Sequence, residues 1–319
     1  MKVLVAGLGS IGLRHARNFR ALAVDEVMGM DPDEGRRAAF AAEIGGTCFA
    51  SLDQALAARP DLVAVCSPNR FHVAQAQACA TAGVALLVEK PLGAALEGVE
   101  DLLAMIGERG LFAHMGSNWK FYPAFQRLKQ IIDDGVIGPV VAAQVLAGQW
   151  LPDWHPNRDY RTEYSARRDL GGGAILDTHE VDYLSWLLGD VAEIRAMHAH
   201  SGLLQSDTED VAALLLRFAG GTIASLSTDY IQRVGRRRYN LAGGLGSVEW
   251  DVGSPLRLYL AETKAWQDVP GTLETDYNQM YLRQAEHCLR GARGEEAPVT
   301  PLAEAARILA VQLAAKGQP

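Results

Sequence analysis

Short, nearly all-apolar runs recur at a regular interval through the first third of the chain, at residues 2–6, 27–30, 61–66, 84–88 and 111–115. Runs of this length without apolar–polar alternation predict strands buried on both faces of a parallel sheet. Between them, residues 11–22, 34–44, 71–82 and 95–109 have helical length and periodicity. Gly45-Gly46, Gly83 and Gly110 stop three of these helices, and Ser51 with Gln54 three residues later caps a shorter one. Strand and helix in alternation predict a doubly wound α/β unit.

The pattern changes after about residue 120. Residues 140–149, 192–200, 211–218, 222–230 and 237–241 form longer, partly alternating runs separated by Gly-rich turns, and helical segments follow at 276–290 and 302–316. These predict an α+β unit with a large open, mainly antiparallel sheet, one face on helices and the other exposed as a candidate oligomer interface.

Composition narrows the picture. A chain of 319 residues is about twice the typical domain size of roughly 150 residues, so two domains are expected. A net charge of -8 argues against nucleic-acid or anionic-membrane surfaces as partners. Apolar runs stop short of the roughly 20 residues a membrane helix needs. The opening Met1-Lys2-Val3-Leu4-Val5 reaches Gly7 at once, which predicts no signal peptide. Cys48, Cys66, Cys79 and Cys288 lack metal-ligand spacing, so a reducing cytoplasm is the expected location.

Between the first strand and first helix stands Gly7-Leu8-Gly9-Ser10-Ile11-Gly12. In that context the three glycines permit a tight turn, a close backbone approach to a pyrophosphate and close helix–sheet packing, and the helix start faces the anion. Asp31 ends the second strand, where its carboxylate would accept the ribose hydroxyls and repel a 2′-phosphate. The expected cofactor is therefore NAD in preference to NADP, with Arg36 and Arg37 as solvated neighbours. Residues 1–119 are read as an α/β Rossmann domain. Residues 120–319 are read as the substrate-binding and oligomerisation domain, whose last helix is allowed to pack back on the first.

Cys66-Ser67-Pro68-Asn69-Arg70-Phe71-His72 follows the third buried strand, Glu89-Lys90-Pro91 ends the next, and Gly171-Gly172-Gly173 leads to Asp177, His179 and Asp182. With the glycine fingerprint, these segments resemble the glucose-fructose oxidoreductase, inositol dehydrogenase and rhizopine catabolism protein family, Gfo/Idh/MocA, over nearly the whole chain. The resemblance implies a homodimer or homotetramer built through the open sheet. It also implies Lys90 and His179 beside the reacting carbon with Asp177 next to the histidine, Ser67, Pro68, Asn69 and His72 bordering the dinucleotide, and Glu89 near the nicotinamide ribose. One departure stands out. The family pattern is D-x-x-x-H, whereas Asp177 and His179 are two apart, and such residues do not share a helix face. Either Thr178 lies outside the helix and both side chains converge, or Asp182, three residues on, is the histidine's partner.

Oxidising a secondary alcohol requires a base for the hydroxyl proton and a nicotinamide facing the carbon. An imidazole with a pKa near 6.5 makes His179 that base, and Lys90 would stabilise charge developing on the oxygen. His179-Glu180 and Asp182 lack paired-histidine zinc spacing, so no metal is expected. Substrate contacts are expected from Trp119, Lys120 and Tyr122, from Trp154, His155, Arg158 and Tyr160 in an aromatic, polar stretch, and from Asp182. The basic run from Gln232 to Arg238 is read as a solvated turn, with phosphate or carboxylate binding as the other reading. The expected reaction is hydride transfer between nicotinamide and a secondary alcohol or ketone of a sugar, cyclitol or nucleotide sugar. The alternatives are an NAD-dependent glycosidase using transient oxidation and a non-catalytic dinucleotide sensor.

Overall fold

The computed structural model describes residues 1–154 and 158–317, which divide into two compact units. Unit 1 comprises Met1–Asn118 with Asn278–Leu309, and unit 2 comprises Trp119–Tyr277 with the chain from Ala310 onward. The division is not contiguous, in contrast to the single 120–319 domain read from the sequence. A whole helical segment beyond the second sheet, and not just the last helix, belongs with unit 1.

Unit 1 alternates β1 (Lys2–Ala6), α1 (Ser10–Ala21), β2 (Glu26–Met30), α2 (Glu34–Ile44), β3 (Cys48–Phe49), α3 (Leu52–Ala57), β4 (Leu62–Val65), α4 (His72–Thr81), β5 (Ala85–Val88), α5 (Val99–Arg109) and β6 (Ala113–Met115). The six strands are parallel in the order β3-β2-β1-β4-β5-β6, the doubly wound order whose crevice opens beside β1. Helix ends follow local chemistry. The Asp33 carboxylate accepts the Arg36 N–H at 2.8 Å to start α2, and Gly45 ends it in the left-handed region at φ +79°. The core joins Val3, Val5, Leu62 and Leu87 of the sheet to Ala285, Cys288 and Leu289 of a helix that comes much later in the chain.

Unit 2 begins with α6 (Pro123–Asp133) and β7 (Val140–Gly148), then α7 (Ala174–Asp177), α8 (Glu180–Leu188), β8 (Val191–Ala199), β9 (Val211–Phe218), β10 (Ile223–Asp229), β11 (Arg236–Gly243), β12 (Gly246–Asp251), β13 (Arg257–Leu260) and β14 (Ala265–Asp268). The closing helices are α9 (Asn278–Ala292), in unit 1, and α10 (Leu302–Ala315). The eight strands run β14-β13-β12-β11-β7-β10-β9-β8. All neighbours are antiparallel except β7 and β10, which pair parallel, so "mainly antiparallel" describes the sheet. Along β9, Ala212, Leu214, Leu216 and Phe218 are buried while Ala213, Leu215 and Arg217 are exposed, the period of a strand covered on one face. Among the described residues no helix is long and apolar enough to cross a membrane.

Candidate active site

Unit 1 supplies a dinucleotide cradle. Gly9 is the N-cap of α1, and neither a capping side chain nor an acidic residue occupies the first turn, which Ser10 and Ile11 begin. The leading N–H groups and the positive end of the helix dipole therefore face outward without a side-chain acceptor. Gly7 has φ +98°, and a Cβ there would lie 2.6 Å from the Ser67 nitrogen. A Cβ on Gly12 would lie 1.9 Å from the Gly7 carbonyl oxygen, so α1 starts this close to the sheet only without a side chain. A Cβ on Gly9 would meet no atom within 4 Å. The loop is thus closed toward the protein at two glycines and open at the third, which is the shape a pyrophosphate requires.

Asp31 is buried at the end of β2, its Oδ2 accepting the Leu8 N–H at 2.8 Å and its Oδ1 the Asp33 N–H at 2.9 Å. A carboxylate has about four acceptor positions, so these two bonds fix it to the glycine loop and leave capacity for ribose hydroxyls. Arg36 reaches Asp31 at 3.5 Å, and Arg37 donates to the carbonyls of Asp31 (2.7 Å) and Pro32 (2.8 Å). Arg37 is therefore a brace of its own loop.

The Glu89-Lys90-Pro91 segment is gripped from two helices by histidines. On α1, His15 donates from Nε2 to Glu89 Oε1 at 2.7 Å, and Glu89 packs over Gly116, where a Cβ would lie 2.9 Å from the carboxyl. On α4, the ring nitrogens of His72 face the Pro91 carbonyl at 2.8 Å and the Ser67 carbonyl at 2.7 Å. Ser67 itself donates to Gln75 at 2.9 Å, and Asn69, after Pro68, is buried. Sequence reasoning missed His15; a polar ring on the buried face of an amphipathic helix, three residues after Gly12, was the available signal.

In unit 2 the three glycines form a turn that side chains would block. A Cβ on Gly172 would lie 2.2 Å from the Tyr164 carbonyl oxygen and one on Gly173 2.3 Å from the Glu209 carboxylate. After α7, Thr178 is extended at φ -66° and ψ 135°, and His179 is the N-cap of α8. Gln312 Nε2 donates to the carbonyls of Ile175 (2.8 Å) and Thr178 (3.2 Å), holding that break in place.

Thr178 therefore lies outside the helices, as one alternative required, and a hydroxyl group is bonded to Nδ1 of His179. That group is the Tyr183 hydroxyl, at 2.9 Å. Asp177 accepts three hydroxyls, from Tyr164 (2.7 Å), Ser165 (2.7 Å) and Tyr230 (2.9 Å). It ends α7, while His179 starts α8. Asp182 pairs with Lys120 at 2.8 Å, both buried. Glu180, which sequence reasoning did not single out as a site residue, accepts from Thr178 (2.6 Å) and from Arg237 Nε (2.7 Å), and the Arg237 guanidinium lies 4.5 Å above the Trp119 ring.

The other expected substrate contacts divide. Lys120 and Tyr122 are fully buried, with the Tyr122 hydroxyl donating to the Glu274 carbonyl at 3.0 Å. Trp154 is half-buried with its ring edge-on to Tyr230, Tyr160 accepts the Gln205 N–H at 3.0 Å, and Arg158 meets Glu163 at 3.5 Å. His155 lies outside the described residues. The basic run is engaged internally as well: Arg233 stacks 3.5 Å over Trp150, and Arg236 and Arg238 both reach Asp251.

A parallel sheet in the doubly wound order with this glycine cradle defines a dinucleotide-dependent oxidoreductase. Residues 1–117 match the oxidoreductase family with an NAD-binding Rossmann fold, and residues 125–249 match the Gfo/Idh/MocA C-terminal domain. A 1,5-anhydro-D-fructose reductase of Ensifer adhaerens is 30% identical over 237 residues, 72% of this chain and 69% of that one. An inositol 2-dehydrogenase of Saccharopolyspora erythraea is 31% identical over 267 residues, 78% of this chain and 72% of its own. GenD2 from gentamicin A biosynthesis, crystallised with NAD, superposes with a TM-score of 0.85 at 25% identity, over 99% of this chain and 93% of that one. The chain belongs to the Gfo/Idh/MocA family of oxidoreductases.

Proposed function

We propose that this protein is an NAD-preferring dehydrogenase or reductase acting on a secondary alcohol or ketone of a sugar, cyclitol or nucleotide sugar, with Lys90 and His179 as its catalytic residues. The observation that carries the reading is the cradle: an uncapped α1 start, an open Gly9, and Asp31 bonded to the same loop. Gly7, Gly9, Ser10, Ile11 and Gly12 hold the pyrophosphate, and Asp31 receives the ribose and disfavours a 2′-phosphate. Ser67, Pro68, Asn69, His72 and Glu89 complete the border of the site. Relatives named for an anhydrofructose and for inositol support a polyhydroxylated ring as substrate.

Bound nicotinamide supplies the carbon that gives or takes the hydride. His179 exchanges the proton of the substrate oxygen, through Nε2 because Nδ1 is held by Tyr183. The Lys90 ammonium stabilises negative charge on that oxygen. Trp154, Tyr160 and Arg158 are proposed to line the substrate region. The open sheet face of unit 2, with Leu146, Met197 and Leu215 around a depression of about 910 Å³, is proposed as the homo-oligomer contact. Four free cysteines fit a reducing, cytoplasmic setting.

The test is NADH or NADPH absorbance with purified protein across sugars, cyclitols, sugar acids and nucleotide sugars, in both directions. Turnover is expected with NAD, falling at least ~100-fold in Lys90→Ala and His179→Ala with NAD affinity retained. Unchanged turnover in either variant removes that residue from the mechanism.

A further inference from the structure

The imidazole of His179 is held along two directions by one side chain. Tyr183, one turn further along α8, places its hydroxyl 2.9 Å from Nδ1, and its ring stacks on the imidazole with centroids 5.6 Å apart and planes inclined by 14°. The tyrosine is itself fixed. It is completely buried, Phe125 packs edge-on at 5.3 Å, and its oxygen accepts the Trp119 N–H at 3.3 Å. Burial pushes its phenol well above the usual range, which favours the protonated hydroxyl.

We propose that Tyr183 is the positioning residue for His179. The physical reason is geometric. The Tyr183 hydroxyl lies against Nδ1, while Asp177 accepts the hydroxyls of Tyr164, Ser165 and Tyr230 and Asp182 pairs with Lys120. An i,i+4 hydroxyl reaches back to the N-cap residue of its own helix. The stacked ring sets the imidazole plane, the hydroxyl selects which nitrogen faces inward, and proton exchange is directed to Nε2. A neutral hydroxyl does this without the charge of a carboxylate.

The inference rests on His179 being catalytic, and the test separates the two. Tyr183→Phe keeps the ring and removes only the oxygen. It is expected to lower kcat about tenfold, the rate equivalent of one lost hydrogen bond, with NAD affinity within about twofold of the parent. In the His179→Ala background the same substitution is expected to change turnover little, because a positioning residue acts only through the group it positions. An equal fold-loss in both backgrounds assigns Tyr183 a merely structural role and overturns the proposal, as does a Tyr183→Phe enzyme with parental kcat. A His179→Ala enzyme that turns over normally instead overturns the functional reading beneath it. Should Tyr183→Phe fail to fold, nitrogen-15 spectra of the parent decide: a single fixed His179 tautomer is expected, assigned by its loss in His179→Ala, and freely averaging tautomers overturn the proposal.

Discussion

His72 sits between two carbonyl oxygens, those of Pro91 and Ser67, at 2.8 and 2.7 Å. An imidazolium would donate to both, but burial opposes the charge and outweighs the carbonyls and Glu89, leaving the ring's pKa below its usual value. In the unfolded chain the same ring titrates near 6.5. The folded state therefore takes the proton later as pH falls, so the stabilisation is complete above about 6.5 and shrinks toward the folded pKa. Thermal midpoints are expected to fall between about pH 7 and 5, and His72→Gln, which keeps a donor and loses the titration, should flatten that slope. An unaltered slope in the variant would locate the acid sensitivity elsewhere. Lys120 and Asp182 follow the other rule for buried charge. The two pair at 2.8 Å, and removing the lysine would leave the buried Asp182 without this cation at a cost of about 3–5 kcal/mol.

At the scale of elements, the glycine loop separates fold from binding. Gly12→Ala places a methyl 1.9 Å from the Gly7 carbonyl oxygen, and α1 must shift from β1 to admit it. Overpacking of this kind costs about 1–3 kcal/mol, and NAD affinity should fall with it because the helix start moves. Gly9→Ala meets no atom of the chain, so its thermal midpoint should match the parent while NAD affinity drops at least ~10-fold as the methyl fills the pyrophosphate's place. Melting curves with NAD titrations on both variants check this pair. Equal affinity in Gly9→Ala and parent would move the anion away from the loop. The break at Thr178 works in the same spirit: a single extended residue between α7 and α8 sends Asp177 into a hydroxyl cage and His179 to a helix start.

For the whole molecule, the exposed face of the eight-stranded sheet is the feature that remains to be covered. Met197 is 82% exposed and Leu215 57%, with Leu146 nearby and flanking charges paired within the face, as in Arg217–Glu193 and Arg238–Asp251. A face that exposes these apolar side chains among polar ones is expected to bury them against a second copy. Leu215→Arg with Met197→Glu should reduce the mass measured by light scattering to that of the 34.4 kDa chain, with the melting transition still cooperative. A double variant of parental mass would place the contact on another surface.

The sequence by itself determined what depends on local pattern and stereochemistry. Apolar runs and Gly stops placed the strands of the first sheet, except the two-residue β3, and the helices between them to within a few residues, because a strand buried on both faces admits little else. The glycine fingerprint and Asp31 were legible for the same reason: a tight turn and a close approach constrain residue type at each position. Most half-buried strands of unit 2 were found by their alternation, but β12 to β14 were missed: β12 alternates over only six residues, and β13 and β14 have four residues each with weakly contrasted faces. Only the tertiary structure decided which side chains meet. Tyr183 bonds His179, His15 reaches Glu89 across 74 residues, Lys120 and Tyr122 are interior, and α9 completes the core of unit 1 from the far end of the chain. A polar side chain finds its partner through the packing of distant segments, and burial cost, which forces that pairing, exists only once those segments have come together.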